Sequence, residues 1–268
     1  MNHFGQLIEQ LLSEVSGKSV AHLGGKEFVH PALNPSGRAS SGLRKGLEHG
    51  FKIIKGNYKS ELHQLVYLYM SGRLPLNKTK REAQAIITKF YGKAFVYGMK
   101  WQAAGRRTPK TFELSAEQRK WVTLASNDEF GFFSQLLDDI RYKRVFKSDR
   151  QDWEDRVVAY THTLDSVRDA GRVAATPDDM IYFWYMDREA EHCDGCAYLE
   201  EQSPFTKHNL PCTPRDGSTR CLSFCKCRLI AKRVTPKEYA AVAGTILPKS
   251  RLVTHLRALF AKRKMRRS

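Results

Sequence analysis

All six cysteines of this chain fall between Cys193 and Cys227, in the last third of 268 residues. Scattered thiols tolerate almost any fold, but a cluster demands that its segment bring them together. The pattern is Cys193-x2-Cys196, a 24-residue gap, then Cys221-x3-Cys225-x-Cys227, with Cys212 in the intervening Pro-containing loop. Two short clusters separated by a loop are the usual plan of a structural zinc site, with four ligands at tetrahedral corners and Zn–S near 2.3 Å. A C-x2-C pair on a tight turn offers two thiolates to one ion, and Gly195 would let that turn bend. Four of Cys193, Cys196, Cys221, Cys225 and Cys227 are therefore expected to hold Zn2+. Cys193, Cys196, Cys221 and Cys225 are the favoured set, with Cys227 as the main substitute and His192 able to replace a thiolate. If Cys225 and Cys227 lie on a strand, they share a face. Disulfides and free buried thiols are the competing readings, since a cytosol favours metal while an oxidising exterior favours pairing. An all-cysteinate shell leaves no place for a reactive water, so the metal is expected to be structural.

Upstream of the cluster the hydrophobic period is helical. A short amphipathic helix is expected over 3–14, on Phe4, Leu7, Ile8 and Leu11. The Gly- and Ser-rich stretch from Gly17 to Gly50 then reads as an extended arm or linker. Leu62, Leu65, Val66 and Tyr69 carry a helix over 58–70, which Gly72 and Pro75 break. Ala83, Ile86, Ile87, Phe90, Ala94, Tyr97 and Trp101 trace a long helix ending near Gly105. Ser115 and Gln118 have capping-box spacing and open a third, whose stripe is Phe133, Leu136, Leu137 and Ile140. Trp153, Val157, Tyr160, Leu164 and Val167 step by four and three like a bundle seam, over 149–173.

The character changes at Thr176-Pro177. The run MIYFWYM at 180–186 reads as a buried strand, and residues 228–234 as a second. Thr235-Pro236-Lys237-Glu238 is a helix start, with Gly244 as the stop. The expected class is mainly α, a helical bundle followed by a small cysteine-rich α+β module. The expected divisions are a helix and arm over 1–57, the bundle over 58–175, the module over 176–247 and a basic helix over 248–268.

Charge bears on partners. Lys and Arg number 45 against 28 Asp and Glu, a net +17, which favours a polyanionic neighbour. Lys249, Arg251, Arg257, Lys262, Arg263, Lys264, Arg266 and Arg267 line a closing helix without acids, beside an apolar stripe from Leu252 to Phe260. Such a helix can dock by its apolar face and offer charge to DNA phosphates or an acidic subunit. Further basic patches are Lys78, Lys80 and Arg81, and Arg141, Lys143, Arg144 and Lys147. With no helix-turn-helix pattern, any DNA contact is expected to be independent of sequence. The N-terminus lacks the basic region of a secretory signal and no run reaches the ~18 apolar residues of a span, so no membrane is expected.

The segments EHCDGC at 191–196, SPFTKHNLPCTPRDGSTRC at 203–221 and CKCRL at 225–229, with the preceding IYFWYMDREAEHC, resemble the end of tailed-bacteriophage minor head or head-morphogenesis proteins. LVYLYMSGRLPL at 65–76 and the next helix are similar to their helical start, so the resemblance covers about 58–234. More distantly, the segment resembles the Mu-like head-morphogenesis family, where a histidine commonly stands at the place of Cys221. The resemblance implies a virion head component near the portal vertex, several copies per particle, assembled in the host cytoplasm. Its implied neighbours are portal or major capsid protein, with packaged DNA as a further contact. It implies no catalytic residue. The enzyme alternative is an HNH-type nuclease built around His208-Asn209, but the His-His or acidic-His pair of such a hairpin is missing. Gly17-Lys18-Ser19 is no phosphate loop, because position 12 is Leu.

Overall fold

A computed structural model describes residues 41–103, 112–142, 151–219, 221 and 224–244. The chain divides into two compact units at Ala175/Thr176. Among the described residues there are six helices and one three-stranded antiparallel sheet, so the protein is mainly helical with a small α+β module.

The first unit contains four helices: α1 (Ser41–Met70), α2 (Leu76–Ala103), α3 (Ala116–Arg141) and α4 (Gln151–Ala174). The stripes read from sequence form its core. Leu62, Leu65 and Val66 of α1, Phe133, Leu136, Leu137 and Ile140 of α3, and the whole α4 seam are buried. Ser115 caps α3 as a capping box, its hydroxyl accepting from Gln118 N while Gln118 Oε1 accepts from Ser115 N. Helix α2 packs against α1, α3 and α4, and its second half is buried on nearly every side, including Phe90, Tyr91, Phe95, Val96 and Tyr97.

The expected arm is corrected at its end. Residues 41–57 are not extended; they form the first half of α1. Leu47, Phe51, Ile54 and Tyr58 continue the stripe of Leu62 and Leu65 backward and pack into the core. That burial outweighs the helix cost of about 1 kcal/mol for each glycine. Gly50 is a packing residue. Tyr97 OH donates to Leu47 O (2.7 Å), and a Cβ at position 50 would run into that phenol. The boundary expected at 57/58 thus falls inside a continuous helix. The helix expected at 3–14, the arm up to residue 40, Gly105, the patch from Lys143 to Lys147 and the basic helix with its eight named cations lie outside the described residues.

The crossing of α2 and α4 rests on two glycines. A Cβ at Gly98 would strike the backbone of Arg168, and one at Gly171 the backbone of Phe95. Ordinarily Gly→Ala in a helix is stabilising by up to about 1 kcal/mol. Here Gly171→Ala should destabilise the helical unit by about 1–3 kcal/mol, as overpacking against rigid backbone does. Urea unfolding followed by helical circular dichroism checks this; unchanged or raised stability would refute so close a crossing.

Surface charge is more paired than expected. Lys80, read as part of a basic patch, holds Asp138 at 2.9 Å, and Arg156 holds Asp139 at 2.8 Å. Asp138 and Asp139 are therefore interhelical ion-pair partners and not merely solvated.

The second unit contains β1 (Met180–Tyr185), α5 (Asp194–Gln202), β2 (Phe205–Thr206), β3 (Arg228–Arg233) and α6 (Pro236–Gly244). The sheet order is β2-β1-β3. Ile181, Tyr182 and Trp184 of β1 are all buried, so this central strand is covered on both faces and reads as an apolar run without alternation. β1 and β3 pair from Met180↔Arg233 to Tyr185↔Arg228. The start of α6 is capped reciprocally, with Thr235 N donating to Glu238 Oε2 (2.7 Å) and Glu238 N to Thr235 Oγ1 (3.3 Å). Among the described residues no helix is long and apolar enough to cross a membrane.

Candidate metal centre

The antiparallel register sets the site. Tyr185, at the end of β1, lies beside Arg228, at the start of β3. The chain leaving β1 and the chain entering β3 therefore meet at one end of the sheet. The first leads to His192 and Cys193; the second carries Cys225 and Cys227. The last turn of helix α5 is tied to the same end, where Met186 N donates to Glu200 Oε1 (3.0 Å).

Two local expectations change. Cys193 and Cys196 are not on an isolated tight turn. Cys193 is the N-cap of α5, and its carbonyl accepts from Cys196 N (2.9 Å) and Ala197 N (3.2 Å). Helix geometry, not glycine flexibility, brings the pair together, and Gly195 sits inside the helix with only ordinary contacts from 3.7 Å. The helix N-terminus also favours negative charge on Cys193. In turn, Cys225 and Cys227 do not lie on a strand; both precede β3.

The five thiols converge. Cys193 Sγ is 3.7 Å from Cys196 Sγ, which is 3.8 Å from Cys221 Sγ and 3.6 Å from Cys225 Sγ. A tetrahedron of sulfurs around an ion at 2.3 Å has edges of about 3.8 Å. A disulfide would need about 2.05 Å, and all six cysteines are free. The sulfurs form two triads, Cys193–Cys196–Cys221 and Cys196–Cys225–Cys227, each with its members within 4.8 Å of one another. Cys196 belongs to both, and either group could hold a metal ion. Cys225 thus stands with Cys227, and the four thiols favoured from sequence are spread over the two triads. Cys212 is buried in the same core but belongs to neither.

His192 is the ligand candidate that sequence offered only as a replacement. Its Nε2 is hydrogen-bonded to the carbonyl of Asp187, so that nitrogen carries the proton. Its Nδ1 keeps its lone pair and stands 3.7 Å from Cys227 Sγ. A ring nitrogen fixed by a carbonyl on the far side is the arrangement metal-bound histidines use.

The thiols are electrostatically unequal. Of the seven buried residues in this core, four are cysteines, beside Trp184, Leu199 and Phe205. Hydrogen bonds from Cys196 and Cys227 pull the Cys225 thiol far below its ordinary value, while contacts with Cys225 and Cys227 push Cys196 up. Burial pushes Cys193 up, but hydrogen bonds from Cys221 and Cys196 outweigh it and leave this thiol below the usual range. Crowded buried thiols can ionise together only beside compensating charge.

The nuclease candidates have structural work. Asn209 Oδ1 accepts from Thr206 N (2.6 Å) and its amide donates to Val242 O (3.3 Å). Exposed His208 pairs with Asp178, which Lys207 also holds.

Comparison of the chain with protein-family models, with curated proteins and with solved structures finds no match.

Proposed function

We propose that this chain is a structural component of a tailed-phage head, with a C-terminal module locked by Zn2+. The observation that carries the reading is the convergence of five thiols from two segments far apart in sequence. They lie within the stretch that resembles head-morphogenesis proteins. The metal ties α5 to the approach to β3 and so fixes the open end of a sheet that has little apolar core of its own. In this reading the helical unit is the body of the protein, its neighbours are portal or major capsid protein, and several copies enter each particle. No catalytic role is proposed.

The net +17 favours a second contact, with packaged DNA through phosphates. On this reading the chain retards unrelated DNA fragments in a salt-dependent way, and removing 249–268 weakens that retardation. Mass spectrometry of purified virions of a phage encoding this chain tests the main reading. Several copies per particle are expected, and absence from mature particles would overturn it.

A further inference from the structure

We propose that the cysteine centre is binuclear: two zinc ions share the thiolate of Cys196, and His192 Nδ1 completes the inner one. This rests on the metal reading above and goes beyond it in ion count and ligand set.

Five sulfurs cannot all bind one tetrahedral ion. A single-ion site uses at most four of the five, while the three thiols of one triad, Cys196, Cys225 and Cys227, are each at most 1% exposed. Their arrangement offers another solution. Two triads with one common member are two tetrahedra joined at a corner, and the three contacts of Cys196, at 3.6 to 3.8 Å, match tetrahedral edges on both sides. The inner triad, Cys196–Cys225–Cys227, lacks one corner. His192 Nδ1 approaches it through Cys227 with its lone pair free and its far nitrogen held by Asp187. Drawn onto the inner ion, that nitrogen would close a Cys3His shell, the arrangement of a structural ion. The outer triad contains the two half-buried thiols, Cys193 and Cys221. Among the described residues no fourth His, Cys, Asp or Glu atom lies within 4.8 Å of every member of either triad; His192 Nδ1 meets the inner one at Cys227, and the outer ion keeps one corner for water or another donor.

Charge favours the pair of ions. One dication among five thiolates would leave a strongly negative buried cluster. Two dications leave a single negative charge, and the Arg215 guanidinium, whose charge already favours ionised Cys225, offsets it.

The two ions therefore differ in lability. The outer one, with three protein sulfurs and half-buried ligands, exchanges first; the inner one leaves only as the module opens.

The test uses the full chain, loaded with Zn2+ or Co2+ and freed of excess metal. Elemental analysis is expected to give two ions per chain, and a chelator should remove them in two phases of equal amplitude. In the Co2+ form the shared thiolate couples the two spins, so the magnetic moment falls below that of two isolated ions. His192→Ala should weaken one of the two ions by at least about tenfold, and His192→Cys should restore it. Should His192→Ala fail to fold, the Co2+ measurement on the unaltered chain still decides. One ion per chain, or two uncoupled ions, overturns the shared thiolate while leaving a structural zinc. No bound ion overturns both this inference and the zinc reading beneath it.

Discussion

Replacing Cys196 by serine is expected to abolish metal binding and unfold residues 176–244, while the helical unit keeps its own transition. Cys196 is fully buried and is the sulfur that the other contacts converge on. A serine oxygen is a poor zinc ligand and breaks both triads at once. Metal binding to a site that exists only in the folded state is itself folding free energy, on the order of 10 kcal/mol for structural zinc. A module whose buried cluster of seven residues contains four cysteines has no comparable reserve. Chelator should reproduce the effect on the unaltered protein and excess zinc should reverse it. Hydrogen exchange resolved along the chain is the measurement: protection in β1, α5 and β3 should collapse while that in α2 and α4 persists. Persistent protection of the sheet in a metal-free Cys196→Ser protein would mean that apolar packing suffices.

The second large effect is in the helical unit and concerns Glu129, a carboxyl buried in the bundle. Thr163 Oγ1 lies 2.6 Å from Tyr160 O, 2.9 Å from Glu129 Oε1 and 3.1 Å from Tyr91 OH. Thr163 has one hydrogen, and the Tyr160 carbonyl can only accept it. That hydrogen is shared with Glu129 Oε1, to which Thr163 also donates, and the bonds from Thr163 and Tyr91 favour the charged carboxylate. Burial outweighs these bonds and pushes Glu129 up to about 8. The ordinary value in the unfolded chain is near 4.5. Between these values the folded state binds more protons than the unfolded one. The stability contribution of this group is thus complete below about pH 4.5, falls as pH rises, and is lost by about 8. The total loss is on the order of 5 kcal/mol. Glu129→Gln keeps the shape, still accepts from Thr163 and carries no charge to bury at any pH. It should flatten the profile and stabilise the helical unit most at alkaline pH. Urea midpoints from helical circular dichroism between pH 5 and 9 check this; parallel profiles for the two proteins would refute a neutral Glu129.

Legibility in the sequence differs between the two units. Helical stripes report on themselves, because residues three and four apart share a face whatever the partner. Hence the α3 capping box, the α4 seam and the core face of α2 could be read directly. The start of α1 could not. Gly42, Gly46 and Gly50 weigh toward a linker locally. Only the phenol of Tyr97 lying on that backbone explains Gly50 and the helix around it. Glu129 was likewise silent, since one acid in an amphipathic helix looks like any solvated one until its neighbours are known. The same limit held at the cysteines, where spacing marked the ligands but not their grouping.

By itself the sequence determined that a helical bundle precedes a cysteine-organised module, because periodicity and thiol clustering are local properties of the chain. The tertiary structure decided which sulfurs stand together, that Cys196 is common to both triads, and that His192 presents its free nitrogen there. These depend on the pairing of β1 with β3, which joins residues distant in sequence, Tyr185 with Arg228. No local rule encodes that register, since it is set by which side chains can be buried together on the two faces of the central strand.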